Sequence, residues 1–285
     1  MPAGGAVRFR LVANEGEFLR WNDDRWTSAW TDREKLTSSV SPYLSKVIAP
    51  QRGQLVLDVG CGGGGISLSM AEEVGPSGLV AGVDISAPLL ELARKRSNTL
   101  GLSNLQFHHS DMQSDDIEGR PFDLAVSQFG VMFFDEPVVA FGNIRRHLRR
   151  GGRFVFAAWQ ALEMNPWHIG TALRSVVPPP PLTRPGKSAP GPFTLGEVGH
   201  ATSILLDAGF TDVFHTAIEI SVIGPASTIV DRSLLDFMGV PQESLKRASD
   251  LIERHLDRLR VGADEYKFPL AFNVFEATNT QENAK

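Results

Sequence analysis

The 285-residue chain is 42% hydrophobic and 21% charged, which is typical of a folded globular protein and excludes a disordered one. Its 28 basic and 33 acidic residues give a net charge of −5, so the whole chain has no electrostatic attraction to nucleic acid or an anionic membrane. A single cysteine excludes an intramolecular disulfide and a cysteine-rich metal site. No apolar run reaches the roughly 18 residues of a membrane-spanning helix, and residues 1–10 lack the apolar core of a signal peptide. We therefore expect a cytoplasmic protein with a small-molecule partner and no membrane span.

The first 50 residues predict a layer of helices ahead of the first strand. The tryptophans of this layer are Trp21, Trp26 and Trp30. They are followed by apolar residues three or four positions apart, namely Leu36, Val40, Leu44 and Val47. We expect residues 1–50 to form an N-terminal helical cap, in which Trp21 and Trp26 act as a lid.

Short β-type runs alternate with helical patterns from residue 54 to residue 159. The strand runs are apolar and rich in β-branched or aromatic residues, and they cover 54–59, 79–84, 105–108, 122–127 and 153–159. Helical spacing of apolar residues marks 66–74, 88–100 and 138–148. Gly101 and Gly151 stand where helix C-caps are expected. This order is typical of an α/β protein with a mostly parallel sheet and helices on both of its faces.

The chain beyond residue 160 continues the same core with two additions. We interpret residues 161–195 as a proline-rich surface excursion, because proline removes a backbone donor and fixes φ. Residues 196–208 are helical in pattern, and strand-like runs cover 213–223 and 270–277. The intervening segment has an apolar stripe at helical spacing, formed by Leu245, Ala248, Ile252, Leu256 and Leu259. We expect one core over residues 51–285, with a helical lid inserted at 224–265.

A glycine-rich turn directly follows the first strand and precedes the first helix of the core. In the stretch LVLDVGCGGGG, residues 55–65, the glycines Gly60, Gly62 and Gly65 fit the spacing G-x-G-x-x-G. Glycines let a ligand approach the backbone, and the following helix N-terminus offers free N–H groups. Asp84 ends the second strand, where a carboxylate can accept both hydroxyls of a ribose. The pattern indicates a cofactor that contains a nucleoside.

Two cofactors fit this pattern, a nicotinamide dinucleotide and S-adenosylmethionine. Asp58 lies two residues before Gly60, where its charge would repel a pyrophosphate but suits the ammonium and sulfonium groups of S-adenosylmethionine. Asp111, just after the third strand, is suited to accept from an adenine amino group. Neither Tyr43 nor Tyr266 has the lysine partner of a Tyr-x-x-x-Lys pair. These features favour S-adenosylmethionine, and the alternatives are an NAD-dependent oxidoreductase and a catalytically silent cofactor-binding scaffold.

Five stretches in order along residues 56–159 carry a resemblance to a known family. They are LDVGCGGG (57–64), GVDIS (82–86), SDM (110–112), FDLAVSQFGVMFF (122–134) and LRRGGRFVFAAW (148–159). In these stretches the chain resembles the class I S-adenosylmethionine-dependent methyltransferases. The segments SQFGVMFFDEP, NPWH and PGPF are similar to a bacterial small-molecule branch related to the ubiquinone and menaquinone biosynthesis methyltransferases. Gly63 departs from the family, which often has Thr or Ser at that position.

The resemblance implies a Rossmann-like, seven-stranded sheet whose last strand, 270–277, runs antiparallel near 213–223. It implies S-adenosylmethionine as methyl donor and S-adenosylhomocysteine as product, with no metal. Asp58, Gly60 and Gly62 would hold the methionine portion, and Asp84 the ribose. The full set of cofactor-binding residues that it implies is Asp58, Gly60, Cys61, Gly62, Gly64, Asp84, Ile85, Asp111, Met112, Ser127 and Gln128. Within this set, adenine contacts come from Ile85, Asp111 and Met112, and a backbone contact to the methionine amino group comes from Ser127.

The acceptor of the methyl group is expected beyond the carboxyl ends of the parallel strands. Transfer to an O, N or C nucleophile is an in-line displacement that mainly requires positioning and desolvation. The candidate general base is His168. Clustered aromatic residues favour a small, apolar or aromatic acceptor, and the predicted pocket comprises Trp21, Trp26, Phe129, Met132, Trp159 and Trp167.

A basic cluster before the fifth strand is the one sequence feature that suggests nucleic acid. It consists of Arg145, Arg146, Arg149, Arg150 and Arg153. Basic residues at the end of a helix favour its dipole, and this end lies away from the expected cleft. We therefore expect a solvated face and no nucleic-acid partner, and the sequence makes no prediction of oligomeric state.

Overall fold

One sheet organises the computed structural model, which describes residues 15–119, 121–177 and 190–281. Its strands are β1 (Leu55–Val59), β2 (Leu79–Asp84), β3 (Leu105–His109), β4 (Phe122–Gln128), β5 (Leu148–Trp159), β6 (Thr211–Gly224) and β7 (Tyr266–Thr278). Their order across the sheet is β3-β2-β1-β4-β5-β7-β6. Pairs among β1 to β5 are parallel, whereas β7 runs antiparallel to β5 and β6. The expectation of a seven-stranded, mostly parallel sheet with an antiparallel last strand is confirmed.

Helices precede the sheet, connect its strands and follow them. They are α1 (Glu15–Trp21), α2 (Asp24–Thr27), α3 (Trp30–Ser38), α4 (Ser41–Ile48), α5 (Gly65–Val74), α6 (Ala87–Leu100), α7 (Pro137–His147), α8 (Val198–Asp207), α9 (Arg232–Phe237) and α10 (Leu245–Leu256). Ser86 caps α6 by accepting a hydrogen bond from Leu89 N. Gly101 ends the same helix at φ +67, as predicted.

The prediction that Gly151 caps a helix is wrong. Helix α7 ends at His147, and β5 begins at once at Leu148, ahead of the predicted start at residue 153. Gly151 lies inside β5 at φ +75 and donates its N–H to the Asn279 carbonyl at 2.7 Å. The apolar-run criterion missed this part of the strand because residues 149–152 are arginine and glycine, which carry no apolar side chains.

The central strands are buried on both faces, as their continuous apolar sequences require. In β1, Val56, Leu57 and Val59 are at most 1% exposed. Parallel strands covered by helices on both sides are apolar throughout, in contrast to half-exposed antiparallel strands. Because β1, β2, β4 and β5 all run in one direction, their carboxyl ends meet along one edge of the sheet. This edge is the place where the predicted cofactor residues must gather.

Two segments far apart in sequence meet above this edge and form what we call the roof, residues 15–38 with α1 to α3 and residues 226–238 with α9. Arg25 Nη1 donates to the Asp236 carbonyl at 3.0 Å, which joins α2 to α9. The rings of Trp26 and Phe237 lie 4.8 Å apart at the same junction. The predicted division into a cap, a core and an inserted lid stays a prediction, and the roof combines parts of the predicted cap and lid.

A second hydrophobic cluster anchors the segment between β6 and β7. The predicted stripe on α10 buries Ala248, Ile252 and Leu256, which pack with Leu173 and Phe268. The prolines at 178–181 and 185 lie outside the described residues. Within the described ranges, no helix combines the length and apolar character needed to cross a membrane.

The basic cluster lies at the opposite edge of the sheet, where its side chains have local partners. Arg145 Nε donates to the Ala208 carbonyl at 2.9 Å, and Arg149 pairs with Asp123 at 2.6 Å. Arg153 pairs with Glu276, also at 2.6 Å. These contacts join α7 and β5 to neighbouring elements and leave the carboxyl edge of the sheet free of this cluster.

Candidate cofactor and acceptor site

A cavity of about 390 Å³ lies between the carboxyl edge of the sheet and the roof. Nearly all of the predicted site residues line it. From the predicted cofactor set these are Asp58, Gly60, Cys61, Gly62, Asp84, Ile85, Asp111, Met112 and Gln128. From the predicted acceptor side they are Trp21, Trp26, Phe129, Met132, Trp159, Trp167 and His168.

The glycine turn after β1 forms the floor of the cavity and needs glycine at its first position. Gly60 has φ +69, and a Cβ there would lie 2.8 Å from Gly130 Cα. Its N–H donates to the Val83 carbonyl at 2.8 Å, so the turn is tied to the end of β2. The backbone at Gly60 therefore lines the cavity at a point where no side chain can be accommodated.

Asp58 is 1% exposed and faces the cavity floor from β1. Burial raises the pKa of Asp58 to about 7, and the neighbouring Asp84 carboxylate adds to the rise. The hydroxyl of Ser67 opposes it by donating to Asp58 Oδ2 at 2.5 Å. A cationic ligand group beside Asp58 would favour its charged form, which is the role expected of a carboxylate that holds an ammonium.

Asp84 ends β2 and organises the turn around the cavity. Its Oδ2 accepts from Gly62 N at 2.7 Å, and its Oδ1 accepts from Ser86 N at 2.8 Å. Burial raises the pKa of this carboxyl group, while the backbone hydrogen bonds act against the rise. Each carboxylate oxygen can accept a further hydrogen bond, so the geometry leaves capacity for ribose hydroxyls.

Asp111 follows β3 and carries an unsatisfied acceptor. Its Oδ1 accepts from Gln113 N at 2.9 Å, but its Oδ2 is buried with no hydrogen-bond partner. Burial raises the pKa of Asp111. An orphaned buried acceptor is costly, and an adenine amino group would satisfy it. This unpartnered acceptor beside the glycine turn fits the adenine amino group of S-adenosylmethionine.

Three members of the predicted cofactor set have supporting contacts in the structure. Ser127 and Gly64 do not line the cavity. The Ser127 hydroxyl donates to the Val59 carbonyl at 2.7 Å, and Gly64 begins α5 at φ +86. The Gln128 side-chain amide holds the N-terminal helices, because its Nε2 donates to the Thr37 carbonyl at 3.0 Å and its Oε1 accepts from Ser41 Oγ at 2.9 Å. Direct contacts from these three residues to the cofactor stay predictions.

An aromatic wall closes the acceptor side of the cavity. Phe129 stacks on Trp159 with ring centroids 4.0 Å apart and an interplanar angle of 9°. Trp167 meets Trp159 edge to face at 5.2 Å. Phe129 has φ +64, so its ring is directed by an uncommon backbone conformation rather than by regular strand geometry. The wall is therefore aromatic and apolar.

His168 lies on the acceptor side beside Phe193, whose ring it meets edge to face at 4.9 Å. Burial lowers the pKa of His168 to about 4, and the nearby charges of His255 and Arg20 act in the same direction. Its Nδ1 is buried and has no hydrogen-bond partner. The imidazole is therefore neutral at neutral pH and retains an unused nitrogen.

The roof contributes residues that the sequence did not assign to the site. The Trp30 ring covers the glycine turn, because a Cβ on Gly62 would lie 2.7 Å from Trp30 Cζ2. Glu34 Oε2 pairs with Arg96 at 2.7 Å, and Arg96 Nη1 donates to the Gly63 carbonyl at 2.9 Å. These contacts join residues that are distant in sequence, so no local sequence pattern predicts them. Trp30 stood in a visible tryptophan group, but nothing in the sequence tied it to the glycines.

Asn22 fixes the roof to the end of β2. Its Nδ2 donates to the Ile85 carbonyl at 2.9 Å, and its Oδ1 accepts from Ala87 N at 3.0 Å. Ser86 Oγ donates to the Trp21 carbonyl at 2.6 Å beside it.

In the described part of the chain, no group of three or more His, Cys, Asp or Glu side chains is arranged to hold a metal ion.

Comparison with known proteins agrees with this geometry. Residues 50–176 match the family described as "Methyltransferase domain". The aklanonic acid methyltransferase of Streptomyces sp. (strain C5) is 35% identical over 115 residues, which are 40% of this chain and 52% of that protein. The demethylmenaquinone methyltransferase of Staphylococcus aureus is 31% identical over 110 residues, which are 39% of this chain and 45% of that protein. The match therefore spans about half the length of these relatives.

Solved structures share the architecture at low sequence identity. The YcgJ protein of Bacillus subtilis has a TM-score of 0.60 and 16% identity, over 85% of this chain and 99% of that chain. Phosphoethanolamine N-methyltransferase 2 of Haemonchus contortus, solved with S-adenosylhomocysteine, has a TM-score of 0.57 and 18% identity, over 92% of this chain and 60% of that chain. At these identities the likeness concerns the fold. Residues 50–176 thus match the methyltransferase domain family, and the resemblance of the chain to the S-adenosylmethionine-dependent methyltransferases, including bacterial small-molecule enzymes, is confirmed.

Proposed function

We propose that this protein transfers the methyl group of S-adenosylmethionine to an oxygen, nitrogen or carbon nucleophile of a small, apolar or aromatic acceptor. The observation that carries the proposal is the row of three carboxyl groups around the glycine turn, the buried Asp58 and Asp111 and the partly buried Asp84. A pyrophosphate would be repelled along this row, whereas ammonium, hydroxyl and adenine amino groups are all donors. All three residues lie inside the matched methyltransferase domain.

Each carboxyl group is suited to one part of the cofactor. Asp58 has the position to hold the ammonium, and Asp84 the ribose hydroxyls. The unpartnered Oδ2 of Asp111 is suited to the adenine amino group. Ile85 and Met112 supply apolar surface for the adenine ring. Gly60 and Gly62 let the backbone approach the methionine portion.

The reaction asks the protein mainly to align and desolvate. When bound, S-adenosylmethionine supplies an activated methyl group and leaves as neutral S-adenosylhomocysteine. The stacked rings of Phe129 and Trp159 offer a flat surface that orients an aromatic acceptor and excludes water from it. Met132 closes the same side of the cavity. In-line displacement then requires the acceptor nucleophile to lie opposite the sulfur.

His168 is the candidate that receives the acceptor's proton. Burial lowers the pKa of His168 to about 4, so its imidazole is neutral at neutral pH. In the tautomer that carries its proton on Nε2, the unpartnered Nδ1 accepts a hydrogen bond. A base of this strength suits an acidic acceptor group, such as a phenol or enol, better than an alcohol. Its contribution is to orient the nucleophile and remove its proton as the new bond to carbon forms.

Isothermal titration with S-adenosylmethionine, S-adenosylhomocysteine and NAD in parallel tests the proposal without knowledge of the acceptor. We expect the first two ligands to bind and NAD not to bind. Binding of NAD alone would support the oxidoreductase alternative, and binding of none would overturn the proposal. A screen of phenols, amines and quinones with radiolabelled methyl donor, with and without a chelator, then tests transfer. Cofactor binding with no transfer to any of them would favour the silent scaffold.

A further inference from the structure

Apart from His168 Nδ1 on the acceptor side, the unsatisfied polar atoms around the cavity are acceptors on the floor and donors on the roof. On the floor, Asp111 Oδ2 is an acceptor without a donor. On the roof, Trp26 Nε1, Trp30 Nε1 and Arg33 Nε are buried donors without an acceptor. All four residues line the same cavity. A buried donor left unpaired is costly, so the roof is suited to a ligand that presents oxygen acceptors.

Arg33 has a poorly matched positive charge in this roof. Its Nη2 donates to Ser233 Oγ at 2.8 Å but lies 3.5 Å from Asp231 Oδ1. That carboxylate oxygen already accepts from Leu234 N at 2.7 Å and from Ser233 Oγ at 2.8 Å, because Asp231 is the N-cap of α9. Burial lowers the pKa of Arg33, and the charge of Asp231 opposes this shift without cancelling it.

The Trp26 ring lies against the same guanidinium group and belongs to a cluster of aromatic rings. Arg33 Cζ lies 4.4 Å from the centre of the Trp26 ring. Trp26 also contacts Phe237 at 4.8 Å and Trp21 at 5.2 Å. A second cation, Arg20, lies over the Phe237 ring at 5.6 Å. This part of the roof therefore combines flat apolar surface with positive charge, which is the chemistry that holds a planar anion.

Neighbouring contacts separate Arg33 from the cofactor side of the cavity. Trp30 and Glu34, on the same helix, reach the glycine turn, Trp30 by covering Gly62 and Glu34 through Arg96. Arg33 instead contacts Ser233 on α9, away from the turn. Trp30 and Glu34 of α3 thus face the cofactor side of the cavity, whereas Arg33 faces the α9 segment of the roof.

We propose that Arg33, together with Trp26, binds a carboxylate of the methyl acceptor, so that the acceptor is a planar aromatic acid. This inference rests on the proposed function, because it names the class of the acceptor. Arg33 acts as a specificity-determining residue that holds the anion while the ring lies along the aromatic wall. Its fixed fork of donors matches a carboxylate better than a lysine would.

Two probes of equal shape test the proposal, 2-naphthoate and its neutral amide, naphthalene-2-carboxamide. Each is titrated calorimetrically into protein saturated with S-adenosylhomocysteine. We expect the carboxylate to bind tighter than the amide by about tenfold or more. Arg33→Gln should remove this preference and Arg33→Lys should retain part of it. Arg232→Gln is the matched control, because Arg232 is a half-exposed arginine on α9 that pairs with Asp236 and does not line the cavity.

Equal affinity for the two probes, or no binding of 2-naphthoate, would overturn the proposal with the unaltered protein alone. Retention of the full preference in Arg33→Gln would also overturn it. A loss of S-adenosylhomocysteine affinity in Arg33→Gln would assign Arg33 to the cofactor and reject its role toward the acceptor. If S-adenosylhomocysteine does not bind the unaltered protein, the proposed function fails, and the probe preference is then measured on the free protein as a separate result.

Discussion

Ser67 Oγ donates a 2.5 Å hydrogen bond to Asp58 Oδ2 and ties the carboxyl group of β1 to the first turn of α5. The bond favours the charged carboxylate, but burial outweighs it and raises the pKa of Asp58 to about 7. The free site therefore holds a carboxyl group that titrates near neutrality. A cationic ligand would shift it to the charged form, so binding and protonation are coupled at this residue.

We predict that the affinity for S-adenosylhomocysteine increases with pH. The ligand's ammonium group prefers ionised Asp58, so protons compete with the ligand below the pKa of about 7. From about pH 8 to about pH 6 the affinity should fall about tenfold, measured by calorimetry. Asp58→Asn should bind more weakly and show a flatter pH profile. A profile of the unaltered protein that matches that of Asp58→Asn would contradict the role given to Asp58.

The same pKa shift predicts the opposite trend for the stability of the free protein. The pKa of Asp58 is raised from 3.8 to about 7, so the folded state holds its proton where the unfolded chain has released it. Its contribution to the free energy of unfolding is present below about pH 4 and is lost as pH rises to about 7. Urea unfolding across this range should show a smaller loss in Asp58→Asn. Equal losses would mean that another group causes the trend.

Asp84→Ala should weaken S-adenosylhomocysteine binding at least tenfold. The substitution removes the acceptor of the Gly62 and Ser86 N–H groups and the charged acceptor proposed for the ribose, with about 1.5–3 kcal/mol for each hydrogen bond to a charged group. Calorimetry measures the change. Asp123→Ala is the matched control, because Asp123 accepts from Leu55 N at 2.8 Å at the opposite edge of the sheet. Unchanged affinity in Asp84→Ala would reject the ribose assignment.

Gln128→Ala should loosen the N-terminal helices. It removes the hydrogen bonds to the Thr37 carbonyl and Ser41 hydroxyl and should cost about 1–3 kcal/mol of unfolding free energy. Hydrogen exchange should increase in α3 and α4 more than in the central strands. Gln54→Ala, which removes a side-chain amide bonded only to an exposed backbone N–H, serves as the control. Unaltered exchange in α3 and α4 would show that Gln128 does not anchor these helices.

His168 should remain neutral across the physiological range. Because burial lowers its pKa to about 4, NMR of the labelled imidazole should show no titration above about pH 5.5. Its depressed pKa contributes stability that is present above about pH 6.5 and lost as pH falls through about 4. The free energy of unfolding of His168→Gln should therefore decrease less between these pH values than that of the unaltered protein. Titration near pH 6.5 would contradict the buried, unpartnered geometry.

With an acceptor identified by the screen, His168→Ala should lower kcat and leave S-adenosylhomocysteine affinity unchanged. The reason is that His168 lies on the acceptor side of the cavity, apart from the row of carboxyl groups. His200→Ala, an exposed histidine on α8, is the control for loss of a histidine elsewhere. Equal turnover in His168→Ala and the unaltered protein would leave His168 a packing role beside Phe193.

Local patterns were sufficient to predict the sheet and the floor of the site. The strand before Gly60 and the aspartate that ends β2 are adjacent in space because consecutive parallel strands bring their carboxyl ends together. A strand that is buried on both faces has a short apolar run in its own sequence, as at Val56 and Leu57, so it is recognised without reference to the rest of the chain. Gly151 was misjudged because a glycine with positive φ serves equally at a helix end and at a bend inside a strand.

The roof could not be predicted because its contacts join distant parts of the chain. Arg25 and Asp236 are separated by 211 positions, and Gln128 and Thr37 by 91. No periodicity or spacing rule relates such pairs. The resemblance places Gln128 among the cofactor residues, and no local pattern indicated that its amide also bonds to the helices above. Arg33 carried no sequence signal at all, and only its surroundings in the fold indicate a role.

The split origin of the roof has a consequence for how specificity can change. The floor is built by turns that follow central strands, where the Gly60 backbone approaches Gly130 too closely to tolerate a side chain. The roof is built by a segment before the first strand and another before the last, joined by side chains such as Trp26 and Phe237. Substitutions at roof positions that do not reach the glycine turn, such as Trp26 and Phe237, can therefore alter which acceptor is admitted while the contacts on the donor side are kept. Exchange of these positions together offers a route to new acceptors above an unchanged floor.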